Sequence, residues 1–491
     1  MQAVCCSEGR CIVTRRCRRG SGRLYEQARP LSLLLAACVF VACAHRSDPR
    51  YLDAGEIQEF VIGNSLKDAK SGDWREDFLP VDSERREGVI HGHSGPPEGL
   101  YGGAWELRGN SVCMRYWGES SRTTCYRFAW AGDNKFFWID EAGRRAFETE
   151  LIERGGADDV AVEAASTAFR SETVTFRHGV NLLVGDLRFP DGPAPYPAIL
   201  YVDGSGGFSR HRFDDWPGNA VLQEALSRGF ATFVWSKPGV DDSTGDWREQ
   251  SMALRAEEVV AAIEHLEERA DIDGDRIGLL GVSQAGWVMP LVPTQRDVAF
   301  VVAISCPGQS PFEHERYPTD KELASTGISE AERKDAGEHL RTLFEILRSS
   351  VTYEEYLRRH QEWLAEAKLR TWYPAVSSKQ TELPSVGWYL SEPERESFGF
   401  VSTALANDTP PPLKNLRMPV LAIFGAEDSR VDPVIGAKMY EEIPLANGNR
   451  DVTVQVYHGA NHSLLVPDSE GYLEFAPGYV TTIGEWLAAH R

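Results

Sequence analysis

Residues 277–288 of the chain read IGLLGVSQAGWV. The opening of this stretch, Ile-Gly-Leu-Leu, predicts a buried strand, and the residues from Ala285 onward predict a helix. Between them, Ser283 lies in a G-x-S-x-A turn, whose small residues allow strand and helix to approach closely. Such a turn holds the serine in a strained conformation with its hydroxyl exposed. The motif alone is weak because Gly and Ser occur in many turns, so its context has to support it.

The surrounding sequence supports it, because strands and helices alternate from residue 170 onward. This alternation predicts an α/β fold with a mainly parallel sheet flanked by helices. Besides residues 277–280, buried strands are predicted at residues 198–202, 231–235, 299–304, 420–424 and 452–456.

Candidate partners for the serine follow the last two strands. Glu427, Asp428 and Asp432 lie on the loop after one strand, and His458 and His462 on the loop after the next. In proteins with this kind of turn, an acid and then a histidine follow the serine along the chain. Asp432 is better suited to a helix N-cap, because a proline follows it.

With these motifs, residues 170–491 resemble the α/β-hydrolase superfamily, and are most similar to dienelactone-hydrolase-like and prolyl-oligopeptidase-like bacterial esterases. Gly-x-x-Asp-x-x-Val before a proline matches the acid loop of the superfamily and places the catalytic acid on Asp428. The resemblance places the catalytic histidine on His462 rather than His458. It implies a Ser-His-Asp triad in which Ser283 attacks a carbonyl carbon.

An oxyanion hole needs two backbone N–H donors. One is expected from Gln284, directly after the nucleophile. By resemblance the other comes from the Gly-rich turn after the first long strand, from Ser205 or, as second choice, Gly206. The superfamily usually has His at the start of this turn, where this chain has Asp203.

About a hundred residues, 307–413, separate the fourth buried strand from the acid strand. In this superfamily such an insertion usually forms a helical cap over the active site. Leu340, Leu343, Phe344 and Leu347 share one helical face. We therefore expect the apolar and aromatic residues of the insertion to form the core of the cap rather than a substrate pocket.

Residues 50–158 predict a small antiparallel all-β domain, either a meander or a barrel, because short aromatic runs alternate with turn signals. It resembles small β-domains of bacterial lipoproteins. Cys113 and Cys125 lie in neighbouring strand-like runs, which predicts a disulfide across a hairpin in an exported protein. Two reduced core cysteines are the alternative. Cys306 is expected to be a buried free thiol.

Residues 1–43 resemble a lipoprotein signal peptide. A basic region precedes the apolar run 31–43, which ends in Val-Ala-Cys. Cys43 is the expected lipidation site, since cleavage at Cys38 leaves a very short apolar run. An ordinary cleaved signal with incidental cysteines stays open, as does a translation start near Leu24. We expect an exported bacterial protein, periplasmic or membrane-anchored, with membrane association only through the lipid anchor.

Composition excludes other classes of function. The net charge is −21, with 52 Lys and Arg against 73 Asp and Glu, so the chain should repel nucleic acid. His91 and His93 lack the third ligand that a zinc site needs, so neither metal nor cofactor is expected. The leading interpretation is a serine hydrolase of carboxylesterase type acting on a small-molecule ester.

Three alternatives stay open. The first is a peptidase of prolyl-oligopeptidase type, although about 110 residues cannot supply a propeller at some 40 residues per blade. The second is a thioesterase. The third is a partner-binding surface lipoprotein whose hydrolase fold is degenerate, against which the complete triad argues.

Overall fold

The computed structural model of the chain describes residues 50–72, 74–80, 86–94, 100–116, 123–132, 134–152, 169–213, 220–349, 352–391, 408–467 and 473–491. The predicted signal segment, with Cys38 and Cys43, lies outside these residues, as do the linker at 155–168 and the side chains of His91 and His93.

The N-terminal region is a closed antiparallel barrel in which neighbouring strands are consecutive in sequence. Its strands are β1 (Ser65–Asp68), β2 (Trp74–Pro80), β3 (Glu87–Ser94), β4 (Leu100–Arg108), β5 (Ser111–Tyr116), β6 (Thr124–Gly132), β7 (Lys135–Ile139) and β8 (Arg145–Ile152). The barrel closes because β1 also pairs with β8, which removes the free sheet edges. A short helix, α1 (Ala54–Phe60), precedes it and begins at Asp53 with a capping box. This helix was not predicted.

Large aromatic side chains fill the barrel. Trp105, Trp138 and Phe128 are fully or almost fully buried, and the Trp138 indole N–H donates to the Thr149 hydroxyl at 2.8 Å. Cys113 on β5 and Cys125 on β6 face each other in register and form a disulfide.

The C-terminal region is built on an eight-stranded sheet of order β16-β15-β14-β13-β11-β12-β10-β9. The strands are β9 (Arg170–His178), β10 (Asn181–Phe189), β11 (Tyr196–Val202), β12 (Ala231–Trp235), β13 (Ile272–Val282), β14 (Val301–Ile304), β15 (Val420–Gly425) and β16 (Val452–Tyr457). The pairs among β11 to β16 are all parallel. Strand β10 pairs antiparallel with both of its neighbours, β9 and β12. A separate hairpin consists of β17 (Leu465–Pro467) and β18 (Leu473–Phe475).

Helices cover both faces of this sheet. They are α2 (Ala220–Ser227), α3 (Met252–Glu267), α4 (Ala285–Val288), α11 (Pro433–Ala446) and α12 (Tyr479–Ala489). Along β14, Val301 and Ala303 pack into the core that includes α3, while Val302 and Ile304 pack into the core that includes α12. This two-sided burial explains why the strands are continuous apolar runs. No helix in the described part of the chain is long and apolar enough to cross a membrane.

A helical insertion follows β14. Its helices are α5 (Pro311–His314), α6 (Arg316–Ser325), α7 (Glu330–Arg348), α8 (Tyr353–Ala367), α9 (Tyr373–Ser377) and α10 (Pro384–Leu390). Leu340, Leu343, Phe344 and Leu347 of α7 are buried in a core of the insertion's own, together with Trp363 of α8. The expectation that these residues form the core of the insertion therefore holds.

Short 3₁₀ helices connect the larger elements. They lie at Arg210–Phe213, Trp247–Glu249, Met289–Thr294, Gln380–Glu382 and Leu413–Asn415.

Candidate active site

Ser283 stands at the sharp turn between β13 and α4. Its φ of 52° lies in the left-handed region, which is costly for a residue with a side chain. The turn is tight, because a Cβ on Gly281 would lie 2.6 Å from Cβ of Ala285, and one on Gly286 would lie 2.8 Å from Cβ of Cys306. The Ser283 N–H donates to the Ile304 carbonyl at 3.0 Å, which ties the turn to β14. The hydroxyl makes no hydrogen bond to another described residue.

Asp428 lies three residues beyond the end of β15 and is fully buried. One carboxylate oxygen accepts hydrogen bonds from the N–H groups of Arg430 and Val431, at 2.7 and 2.9 Å. The other lies 2.8 Å from Nδ1 of His462. Both oxygens are thus used, which fixes the carboxylate against the imidazole.

The histidine loop is held by hydrogen bonds from the acid loop and from the residue after β14. The Glu427 N–H donates to the Ala460 carbonyl at 2.9 Å, and the Ser305 hydroxyl donates to the His462 carbonyl at 2.8 Å. The side chain of Glu427 is exposed, as is that of His458.

Asp432 caps α11 as predicted. Its carboxylate accepts from the N–H groups of Val434 and Ile435, at 3.0 and 3.1 Å. Both bonds satisfy donors that the first turn of a helix leaves free.

The insertion contacts the acid loop directly. The Tyr317 hydroxyl and the Lys321 ammonium, both on α6, donate to the Asp428 carbonyl at 2.8 and 3.3 Å. His314 on α5 is buried, and its Nδ1 has no hydrogen-bond partner among the described residues. Burial lowers the pKa of His314 to about 4, and nearby His462 adds to that effect. The sequence analysis did not anticipate these contacts.

Ser283 and His462 line one cavity of about 350 Å³, together with Ser205 of the Gly-rich turn. This volume is at the lower end of the range for small-molecule sites. Most of its wall is aromatic or aliphatic, formed by Tyr201, Phe208, Phe213, Val221, Leu222, Leu280, Val282, Ile304, Leu465, Phe475 and Tyr479.

The three candidate residues of the oxyanion hole differ in their position relative to the cavity. Ser205 lines the cavity, and Gln284 directly follows Ser283, whereas Gly206 is not among the lining residues. Neither the Ser205 nor the Gln284 backbone N–H donates to another described residue, so both are free to bind an oxygen atom.

Asp203 forms ion pairs of 3.0 Å with Arg255 on α3 and with Lys237 beyond β12. Sequence reasoning assigned no role to either cation. A signal for Arg255 was present, because it lies on the same helical face as the buried residues Val259 and Ile263.

Metal-ligating side chains do not gather in the described part of the chain, where no group of three His, Cys, Asp or Glu residues could hold an ion.

A mostly parallel sheet with a serine after β13, an acid after β15 and a histidine after β16 defines a protein of the α/β-hydrolase class. The model of the alpha/beta hydrolase family matches residues 204–476, more than half of the chain, and the chain belongs to this family. The predicted fold class is confirmed. The domain boundaries at 43, 158 and 170 stay predictions.

Among solved structures, the chain is similar to a hypothetical protein, PA2218, from Pseudomonas aeruginosa, at 18% identity and a TM-score of 0.41, covering 66% of this chain and 95% of that one. The Pyrococcus furiosus esterase Pf2001 matches at 15% identity and a TM-score of 0.38, covering 69% of this chain and 97% of that one. A proline iminopeptidase from Mycobacterium smegmatis matches at 15% identity and a TM-score of 0.39, covering 65% of this chain and 98% of that one. No protein with a curated description matches the chain.

Proposed function

We propose that the protein is a serine hydrolase that cleaves carboxylic esters through an acyl-enzyme intermediate. The observation that carries this proposal is the buried Asp428 carboxylate 2.8 Å from Nδ1 of His462, beside a cavity that His462 shares with Ser283. A buried acid on Nδ1 keeps the proton on that nitrogen, so that Nε2 is available as a base.

In the proposed reaction, the Ser283 oxygen attacks the ester carbonyl carbon while His462 takes the hydroxyl proton. Collapse of the tetrahedral intermediate breaks the bond to the alcohol, and His462 returns the proton to that leaving oxygen. Water then attacks the acyl-enzyme with His462 again as the base, which releases the acid and restores Ser283. Asp428 stabilises the imidazolium in both steps.

The tetrahedral intermediate carries a negative oxygen, and we assign its two donors to the N–H groups of Gln284 and Ser205. Each residue borders the serine or its cavity, and each N–H is unused by other described residues. Ser205 is preferred to Gly206 because it lines the cavity. Ser283 is not hydrogen-bonded to His462 in the structure, and such catalytic hydrogen bonds often tighten only when substrate binds.

An ester with a small or medium acyl group fits the cavity best. Its volume of about 350 Å³ and its mainly aromatic and aliphatic wall suit a compact apolar group. The N-terminal barrel gives no support to a propeller-type peptidase, since its strands form one closed sheet rather than blades. A thioesterase would use the same residues and stays within the proposal.

We further propose, from the sequence resemblance, that the chain is closest to dienelactone-hydrolase-like esterases and is exported. In this proposal the mature chain begins at a lipid-modified Cys43 and is held at a bacterial membrane. Disulfide formation between Cys113 and Cys125 fits an oxidising compartment.

Turnover of 4-nitrophenyl esters from acetate to decanoate tests this function. We expect hydrolysis that declines for acyl chains too long for the cavity, and a loss of roughly 10⁶-fold in kcat for Ser283→Ala. Ser227→Ala is the control, because that serine is exposed on α2 and only bonds the Glu224 carbonyl. Comparable turnover by wild type and Ser283→Ala would refute the proposal. A preference for acyl thioesters over esters would instead identify the protein as a thioesterase.

A further inference from the structure

We propose that Asp203, Lys237 and Arg255 form a buried ion cluster that positions both backbone donors of the oxyanion hole. The proposal rests on the proposed function, since it concerns the same site. These three residues, called the ion cluster below, are positioning residues, because they act through the Gly-rich turn and Gln284. Asp203 also lines the cavity, whereas Lys237 and Arg255 do not.

The ion cluster joins three elements at the ends of neighbouring strands. Asp203 directly follows β11, Lys237 lies two residues beyond β12, and Arg255 is on α3. The exposed fractions of their side chains are 10%, 4% and 7%. Burying two cations is costly unless their hydrogen bonds are satisfied, so the partners of these cations show what they hold in place.

Lys237 holds the Gly-rich turn by its carbonyl groups. Its ammonium donates to the carbonyl oxygens of Gly204 and Gly206, both at 2.8 Å, besides pairing with Asp203 at 3.0 Å. A trans peptide unit points its C=O and its N–H in opposite directions. The Gly204 carbonyl and the Ser205 N–H belong to the same peptide unit. Because the carbonyl points to Lys237, the N–H points away from the lysine.

Gly204 and Ser205 line the cavity together with Asp203 and Ser283, whereas Lys237 is not among its lining residues. The lysine therefore acts from behind the turn, and its two carbonyl contacts set the direction of the Ser205 donor.

Arg255 connects the two sides of the hole through one guanidinium group. One of its terminal nitrogens donates to the Asp203 carbonyl at 2.7 Å and to the Asp203 carboxylate at 3.0 Å. The other donates to the side-chain oxygen of Gln284 at 2.6 Å. The planar guanidinium is a rigid fork, so it fixes the spacing between the Gly-rich turn and the residue after the nucleophile.

The ion cluster also has a suitable charge. Two cations and one carboxylate leave a positive excess behind donors that must stabilise a negative oxygen, and fixed charges act strongly in a water-poor site. Glu258, which accepts from the Trp235 indole at 2.6 Å, lies nearby, and burial raises its pKa. Burial, with Arg255 adding to the effect, lowers the pKa of Lys237 to about 8, whereas Asp203 opposes this shift.

This arrangement explains why Asp203 can replace the usual histidine of the family. Its carboxylate pairs with both cations, and its carbonyl accepts a third bond from Arg255. The turn is therefore held by charged hydrogen bonds, which are about twice as strong as neutral ones.

The test uses Lys237→Met, Arg255→Met and the isosteric Asp203→Asn. Arg210→Met is the matched control, because Arg210 is also a buried arginine but pairs with Asp186 and Asp242, at 3.2 and 3.0 Å. For each variant, kcat and KM for a 4-nitrophenyl ester are measured, together with the inhibition constant of a trifluoromethyl ketone. This ketone adds to the nucleophile and forms a tetrahedral oxyanion.

We expect kcat to fall about 10²- to 10³-fold in the Lys237 and Arg255 variants, the range for loss of an oxyanion donor. KM should change less than about threefold, since the hole acts in the transition state. Ketone affinity should fall in proportion to kcat/KM. Lys237→Arg, which keeps a donor cation, should restore part of kcat, and Arg210→Met should keep kcat within about threefold of wild type.

A folded Lys237→Met or Arg255→Met protein with kcat and ketone affinity near wild type would overturn the inference. If both methionine variants fail to fold, Asp203→Asn decides, because it keeps the shape of the side chain and removes its charge. Wild-type protein that neither hydrolyses esters nor binds the ketone would instead refute the proposed function. Active wild type with equally active variants refutes only the role of the ion cluster.

Discussion

The Asp428 carboxylate lies 2.8 Å from Nδ1 of His462 and has no exposed surface. Its other oxygen is held by two backbone N–H groups of its own loop. The imidazole therefore faces an acid that cannot rotate away, and the helical insertion reinforces this position through Tyr317 and Lys321, which donate to the Asp428 carbonyl. This geometry distinguishes Asp428 from Glu427 and Asp432, the other two acids of the loop, because it places Asp428 against the imidazole.

Substitution of each acid should give a distinct result. Asp428→Asn should lower kcat by up to about 10⁴-fold, because the amide does not hold the reactive tautomer. Asp432→Ala should cost about 1 kcal/mol of stability through loss of the helix cap, with little change in kcat. Glu427→Gln should change neither, since this side chain is exposed. Turnover and melting temperature are measured for all three, and an inactive Asp432→Ala beside an active Asp428→Asn would show that the acid is misassigned.

The pKa of His314, lowered to about 4 from 6.5 by burial, predicts an acid-sensitive fold. Between pH 6.5 and 4 the unfolded chain binds a proton at this residue that the folded chain does not. The free energy of unfolding therefore falls as the pH drops through that window, by about 3 kcal/mol from this residue. His314→Gln should remove this contribution, as measured by urea unfolding at pH 4 to 7.

Glu315 provides the matched control, because its effect has the opposite sign. Burial raises its pKa to about 7 from 4.5, so the folded chain binds the extra proton between these values. Its contribution to stability is present at low pH and lost as the pH rises through 7. Glu315→Gln should thus make stability more sensitive to acid, whereas His314→Gln makes it less so. Two variants whose unfolding curves shift in parallel with wild type at every pH would contradict these assignments.

The disulfide between Cys113 and Cys125 should stabilise the barrel. The two residues are separated by 12 positions, and closing a loop of that size contributes about 3 kcal/mol in the chain-entropy model. The double variant Cys113→Ala/Cys125→Ala should lower the free energy of unfolding by about this amount. Dithiothreitol should destabilise wild type to the same extent and leave the double variant unchanged. Free thiols at both positions in unreduced, exported protein would rule out the bond.

Lipid anchoring is tested by labelling with palmitate in a bacterial host. Cys43→Ser should lose the label and move from the membrane to the soluble fraction, while the control Cys38→Ser keeps both properties. Retention of label and membrane association by Cys43→Ser would disprove this site. Loss of both by Cys38→Ser alone would move the site to that residue.

The sequence predicted what depends on local pattern. The turn around Ser283 and the loop of Asp428 each follow an apolar run that forms a buried strand, and the loop of His462 follows the edge strand β16, in which apolar and polar residues alternate. Because parallel strands end at one edge of a sheet, the three residues were expected to meet there. The helix cap at Asp432 followed from the next residue, a proline.

What the sequence did not predict depends on contacts between distant segments. Asp203 and Arg255 are 52 positions apart and bond at 3.0 Å, and Tyr317 reaches Asp428 across 111 positions. No periodicity encodes such pairs. Strand β9 was missed for a different reason, because it is largely exposed and lacks the apolar run of a buried strand. Strand β10 was also missed, although most of its residues are buried.

The central claim is that Ser283 is the nucleophile, and labelling with a fluorophosphonate tests it most directly. The folded, purified protein is treated with the reagent, digested and analysed by mass spectrometry, with heat-denatured protein and Ser283→Ala as controls. We expect one phosphonyl adduct, on the peptide that carries Ser283, and none in either control. An unmodified Ser283 peptide in protein that hydrolyses esters, or an adduct on another serine, would contradict it.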